Sequence, residues 1–190
     1  MGVRARGTAL SVLLALVVLA GCGDGPDGSS SPVATSTAIV SASADCMAPA
    51  VLEDLGVVPA SPDGFDTGST STPEVGAVPE GFVPVSVLVC TPDGSLHDAS
   101  GTWLALTASH REGDLGPLLA ALEQPSDEPT ATCGSVEPEA LALWLVDALG
   151  RAVRPSWPTD GCGSPAEDVT RALAALEETD REQYPVEESG

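Results

Sequence analysis

The chain has 190 residues, with 28 Asp and Glu against 7 Arg and no Lys, for a formal net charge of −21. That length gives room for one ordinary domain. The charge excludes a nucleic-acid binder, which needs clustered cations to displace counterions from phosphates, and excludes electrostatic docking on anionic lipid. Asn is absent, Ile and Tyr occur once each (Ile39, Tyr184), and Ala, Gly, Pro and Val abound, a composition suggesting a GC-rich genome.

Arg4 and Arg6 make a positive start, and Ala9 to Ala20 is an apolar run. At about 12 residues the run is too short to span ~30 Å of hydrocarbon and suits the apolar region of a signal peptide. It ends in Leu19-Ala20-Gly21-Cys22, which resembles the lipobox of bacterial membrane lipoproteins at all four positions. The resemblance implies that residues 1–21 are a signal peptide removed before Cys22, that the Cys22 thiol receives a diacylglyceryl group, and that the new amino terminus is acylated. The expected location is the cell membrane, lipid-anchored on its extracytoplasmic face. Two or three acyl chains, such as palmitate, meet or exceed the two signals that stable anchoring requires. The acidic body therefore need not help.

Residues 22–45 read as the lipidated Cys and a flexible tether, since 13 of the 23 residues from Gly23 to Asp45 are Ser, Thr, Gly or Pro. As a coil it would hold the domain about 25 Å from the membrane. A single domain is expected over residues 46–178. Ala48 to Leu55 is a helix candidate that Gly56 would end. Residues 57–81 read as a long loop, with 14 of 25 residues from the same polar set. Phe82 to Cys90 is the strongest strand, bounded by the predicted turn Thr91-Pro92-Asp93-Gly94. Trp103 to Ala108 is a second strand. Leu115, Leu118, Leu119 and Leu122 make one helix face. Leu141 to Asp147 and Ala152 to Arg154 are two more strands. Ser164-Pro165-Ala166-Glu167 has the pattern of a capping box, opening a helix with Val169, Ala172, Leu173 and Leu176 on one face. Residues 179–190 read as a frayed acidic tail.

The order is ββαββα, an α+β fold with a small antiparallel sheet and helices on one face. An internal duplication is suggested. Residues 114–123 align with 168–177 at an offset of 54, with six of ten identical, and Trp103 falls on Trp157. The strands align at an offset of 56.

Four cysteines remain in the mature body: Cys46, Cys90, Cys133 and Cys162. An even count in an exported chain reads as two disulfides. Three connectivities exist. Cys46–Cys90 with Cys133–Cys162 is favoured, because the long Pro/Gly-rich loop would otherwise leave the Cys46 segment untethered. The spacings contain no Cys-x₂-Cys pair, and His97 and His110 are in no ligand pattern, so no metal is expected. No cofactor motif occurs, and there is no Gly-x-Ser-x-Gly or P-loop. His110, beside Arg111 at a strand end, has no identifiable nucleophile.

The most distinctive patch spans residues 150–163 and holds Arg151, Arg154, Trp157 and Asp160. Arg forks bind carboxylates and phosphates and helix N-termini favour anions, which makes the patch a candidate site for a small anionic or peptide ligand. The competing reading is a rigid connection whose Arg residues pair with the excess acid. From Phe82 to Leu176 the chain also resembles lipoproteins of GC-rich actinobacteria, through Val146-Asp147-Ala148-x-Gly150-Arg151, the turn Trp157-Pro158-Thr159-Asp160-Gly161-Cys162-Gly163 and the closing helix. That resemblance brings no activity with it. The expectation is a lipid-anchored extracytoplasmic binding or interaction module whose partner is a protein, peptide or small anion and not nucleic acid. The alternative is a cell-envelope enzyme.

Overall fold

The run Val87-Leu88-Val89-Cys90 is apolar without alternation, which suits a strand buried on both faces. It lies at the centre of the sheet, in β1 (Pro84–Thr91). The structure, a computed structural model, describes residues 36–57, 74–130, 133 and 140–188. The expected signal peptide, Cys22 and the first part of the tether lie outside the described residues.

β1 pairs antiparallel with β3 (Thr102–Glu112) on one side and with β4 (Ala142–Asp147) on the other. β5 (Ala152–Val153) pairs with β4. The short β2 (Ser95–His97) and the long β6 (Glu177–Glu188) both pair with β3. Leu104 faces Ser95 and Glu187, while Thr107 faces Thr91 and Gln183. A residue has one neighbour on each edge, so β1 and β2 share an edge of β3 and β6 occupies the other. β2 therefore continues the line of β1 after an interruption at residues 92–94. The reversal predicted at Thr91–Gly94 occurs later, where the Asp98 carboxylate accepts the backbone N–H groups of Ser100 and Gly101 (2.7 and 3.0 Å).

The sheet is covered on both faces, correcting the expectation of helices on one. Val87 and Val89 share a core with Leu143, Leu145 and the buried residues of α2 (Gly116–Leu122) and α3 (Glu167–Ala174). Leu88 and Cys90 point the other way, to a second core with Leu106, Trp144 and the Val51 and Leu52 side chains of α1 (Pro49–Asp54). The uninterrupted apolar runs in β1 and β4 require this second layer. Gly56, at φ +67°, follows α1 in the left-handed conformation that ends helices.

Both favoured disulfides are present. Cys46–Cys90 and Cys133–Cys162 each have a Cα separation of 5.6 Å. The first is buried within the α1 core. Closing its loop contributes about 4 kcal/mol in the chain-entropy account.

The element order observed is αβββαββαβ, so α1, β2 and β6 are additions to the order expected. The acidic tail is no frayed end: residues 177–188 form β6 along the whole of β3. Tyr184 and Val186, on either side of Pro185, pack on the α1 core, while the acids and Pro185 blunt the strand's outer edge against pairing with another chain. The described part of the tether is also in the fold. Ala38 is buried in the α2–α3 core, and Ser41 exchanges both backbone hydrogen bonds with Ala152 (2.8 and 3.0 Å), extending the sheet past β5.

The predicted capping box is absent. Ala166, not Ser164, is the N-cap of α3, with no side-chain cap bond. The Ser164 N–H donates to the Asp160 carboxylate and the Ala166 N–H to the Pro158 carbonyl (both 2.9 Å). These bonds close residues 158–166 into a loop and hold Ser164 away from the helix end.

Gly76 sits where residues 36–38 run parallel beside residues 76–77, joined by backbone hydrogen bonds. A Cβ there would lie 2.3 Å from the Ser36 carbonyl oxygen and 2.6 Å from the Ala38 nitrogen, both backbone atoms. We expect Gly76→Ala to lower unfolding stability by about 2 kcal/mol and to open residues 36–41 to proteolysis. Thermal denaturation with limited proteolysis checks this, and an unchanged midpoint would contradict it.

Candidate functional site

The four residues of the sequence patch have separate tasks. Arg151 closes the β4–β5 hairpin. Its Nε and a terminal nitrogen donate to Asp147 Oδ2 (2.7 and 2.6 Å), while Asp147 Oδ1 accepts the Leu149 and Arg151 backbone N–H groups (both 2.9 Å). Burial works to raise the Asp147 carboxyl, but the Arg151 guanidinium and those N–H groups outweigh it and hold the carboxyl below its ordinary value.

Arg154 is buried. It pairs with Asp54 of α1 at 2.8 Å and lies over the Trp144 ring, 5.8 Å from its centroid. The guanidinium thus ties β5's exit to α1 through an ion pair and a cation–π contact. Asp160 accepts the Cys162 and Ser164 N–H groups (2.8 and 2.9 Å) and so shapes the turn before α3. Arg154 also lines an open recess of about 550 Å³ beside Asp54 and Glu74, while Trp157 lines a larger one.

That recess is a groove of about 750 Å³, open on one side. Val78, Pro79, Glu80 and Phe82 form one wall. Leu119, Leu122 and Glu123 of the α2 end contribute a second, and Pro125, Ser126, Trp157 and Pro158 complete it. Phe82, Leu119, Leu122 and Trp157 are half-buried, packed on the α2–α3 core below and open above. The irregular wall is pinned by backbone. Asp127 N–H donates to the Thr159 carbonyl and Thr130 N–H to the Gly161 carbonyl (both 2.8 Å), and the Thr159 N–H donates to the Ser126 hydroxyl (3.0 Å). A Cβ on Gly161 would stand 2.9 Å from the Glu128 carbonyl oxygen, so the two segments touch because residue 161 has no side chain. The Cys133–Cys162 disulfide fastens the same pair of segments.

Sequence reasoning singled out Trp157 but missed Phe82, Leu119 and Leu122. A signal existed: the apolar face of α2 is broader than the core uses, with Leu118 and Ala121 buried and Leu119 and Leu122 left half-exposed.

The polar groups of β3 and β6 offer the nearest approach to a catalytic pair. Ser109 donates to Glu178 at 2.7 Å. The Arg181 guanidinium and the Ser109 hydroxyl hold the Glu178 carboxyl at about 2, so it is a feeble base for activating a hydroxyl. Arg111 bonds Ser109 (3.3 Å) and the Leu173 carbonyl at the end of α3 (3.1 Å). His110 lies on the opposite face, between Leu88 and Asp180. His97 contacts Thr102 at 3.0 Å, and Thr102 is eight positions before His110 on β3, about 27 Å of strand, so the two imidazoles are far apart. No group of three or more metal-ligating residues forms among the described residues, and no helix among them is long and apolar enough to cross a membrane.

The two arginines of the sequence patch differ in burial, with side chains 55% (Arg151) and 5% (Arg154) exposed. Arg154→Gln should therefore cost about 2 kcal/mol or more. Arg151→Gln should cost no more than about 1 kcal/mol, an effect that fades in high salt. Urea unfolding at low and high ionic strength measures both, and equal costs would contradict the assignment.

Compared with known protein families, curated proteins and solved structures, the chain matches none.

Proposed function

We propose that this chain is a lipid-anchored extracytoplasmic binding module, held at the cell membrane through Cys22, with the Trp157 groove as its contact face. The observation that carries the binding reading is the groove itself. Its half-buried Phe82, Leu119, Leu122 and Trp157 side chains rest on the core and remain open to solvent. Aromatic and aliphatic side chains gathered in one recess with polar residues beside them are the usual makings of a binding site. The anchor rests on the sequence Leu19-Ala20-Gly21-Cys22.

A protein or peptide partner has better support than a small anion at the sequence patch, because Arg151 and Arg154 already hold Asp147 and Asp54. The alternative, an envelope enzyme, rests on Ser109 and Glu178 alone and has less support, since the carboxylate is so weak a base.

The ββαββα duplication also belongs among the proposals. Setting aside α1, β2 and β6, the sheet order β3-β1-β4-β5 reads the same from either end in units of strand pairs, as a two-fold axis between β1 and β4 would require. At the offset of 56, Leu88 maps onto Trp144, and these two residues face each other across the β1–β4 pair. α2 and α3, the corresponding helices, touch.

One experiment addresses both parts of the functional reading. Cys22→Ser should release the chain from the membrane fraction. In the chain that keeps Cys22, a photo-crosslinking residue at Gln124, on the groove, should form an adduct that one at Glu53, on α1, does not. Unchanged fractionation would overturn the anchor. Identical adducts, or none, at both positions would overturn the groove.

A further inference from the structure

Resting on the binding-module reading, we propose that the groove takes an extended, cationic segment of a partner polypeptide, one that sets prolyl or aliphatic side chains beside Lys or Arg. The floor selects the first kind of residue. Phe82 and Trp157 contribute aromatic side chains to the lining, and Leu119 and Leu122 aliphatic ones. Extended segments dock in aromatic-lined grooves of this type because their ordering cost is already low. A small molecule would need a more enclosing site, since such ligands bury most of their surface, whereas this groove is open on one side.

The rim selects the second kind. Glu80 and Glu123 are the charged residues lining the groove. Both are exposed, and neither is paired with a cation among the described residues. Glu123 is also the C-cap of α2. An acid at that end of a helix opposes the helix dipole, so it does nothing for α2 and adds to the negative potential over the groove. The described arginines are occupied elsewhere, and the chain as a whole carries a net charge of −21. A cationic segment would be steered towards it and an acidic one repelled.

The test is a displayed library of random nonapeptides, selected on the full-length purified chain and counter-selected on Trp157→Ala. The expected result is enrichment of sequences that combine Lys or Arg with Pro, Leu or Val. Synthetic versions should bind the unsubstituted chain about tenfold more tightly at low salt than they bind Glu80→Gln/Glu123→Gln. Both of those carboxylates are exposed, so that variant keeps the fold, and its melting curve verifies this even if Trp157→Ala is poorly folded. Enrichment of neutral or acidic peptides that compete at the groove would overturn the cationic partner while leaving the binding module in place. No enrichment over the Trp157→Ala counter-selection, with that variant folded, would overturn both. Binding that Glu80→Gln/Glu123→Gln leaves unchanged would overturn the role of the rim.

Discussion

Five arginines, from Arg111 to Arg181, stand against the 28 acids of this chain, and their positions decide which acids are compensated. Arg154 joins β5 to α1 through Asp54. Arg151 locks the β4–β5 turn to Asp147. Arg171 holds the two acids that open α3, Glu167 and Asp168 (2.6 and 2.5 Å). Arg181 pairs with Glu178 within β6, and Arg111 caps a carbonyl at the end of α3. Exposed pairs of this kind are each worth little. Their placement still matters, because Arg111, Arg151, Arg154 and Arg171 lie at a turn, a helix end or a junction, and Arg181 compensates an acid inside the acidic β6. With the cations so placed, the groove rim retains acids alone.

The second constraint is the two-sided sheet. β1 and β4 are apolar on both faces, so one helical layer is insufficient. α2 and α3 cover one face. The other is covered by α1, the Cys46–Cys90 disulfide and the Tyr184 and Val186 side chains of β6. The two disulfides thereby have different work: one lies inside the α1 core, and the other fastens the irregular segments that wall the groove. The surface offered to a partner is thus built largely on non-repetitive chain, made rigid by backbone hydrogen bonds and a covalent link.

Much of this was legible in the residues. The β-branched run of β1, the Leu-Trp-Leu run of β4, α1 ending before Gly56 and the disulfide pairing all follow from local chemistry. β6 was hidden because its acids look like solvated tail, although Tyr184 and Val186 already had strand spacing. The second covered face was implied by the lack of alternation in β1, a signal outweighed by the conspicuous leucine faces of the two later helices. Ser164 had the capping pattern, but tertiary bonds around Asp160 and Pro158 took its place. Trp157 stood out in the sequence, while the walls around it come from segments some 75 residues apart in the chain, a juxtaposition that only the sheet and disulfides create.

The central claim, that the arginines are committed to acids and carbonyls of this fold and do not serve an anionic ligand, is most directly tested by titrating the full chain with inorganic phosphate at constant ionic strength and following its thermal midpoint. The account predicts that phosphate gives no saturable stabilisation beyond that of the salt it replaces. A saturable rise in the midpoint that disappears in Arg151→Gln/Arg154→Gln would contradict it.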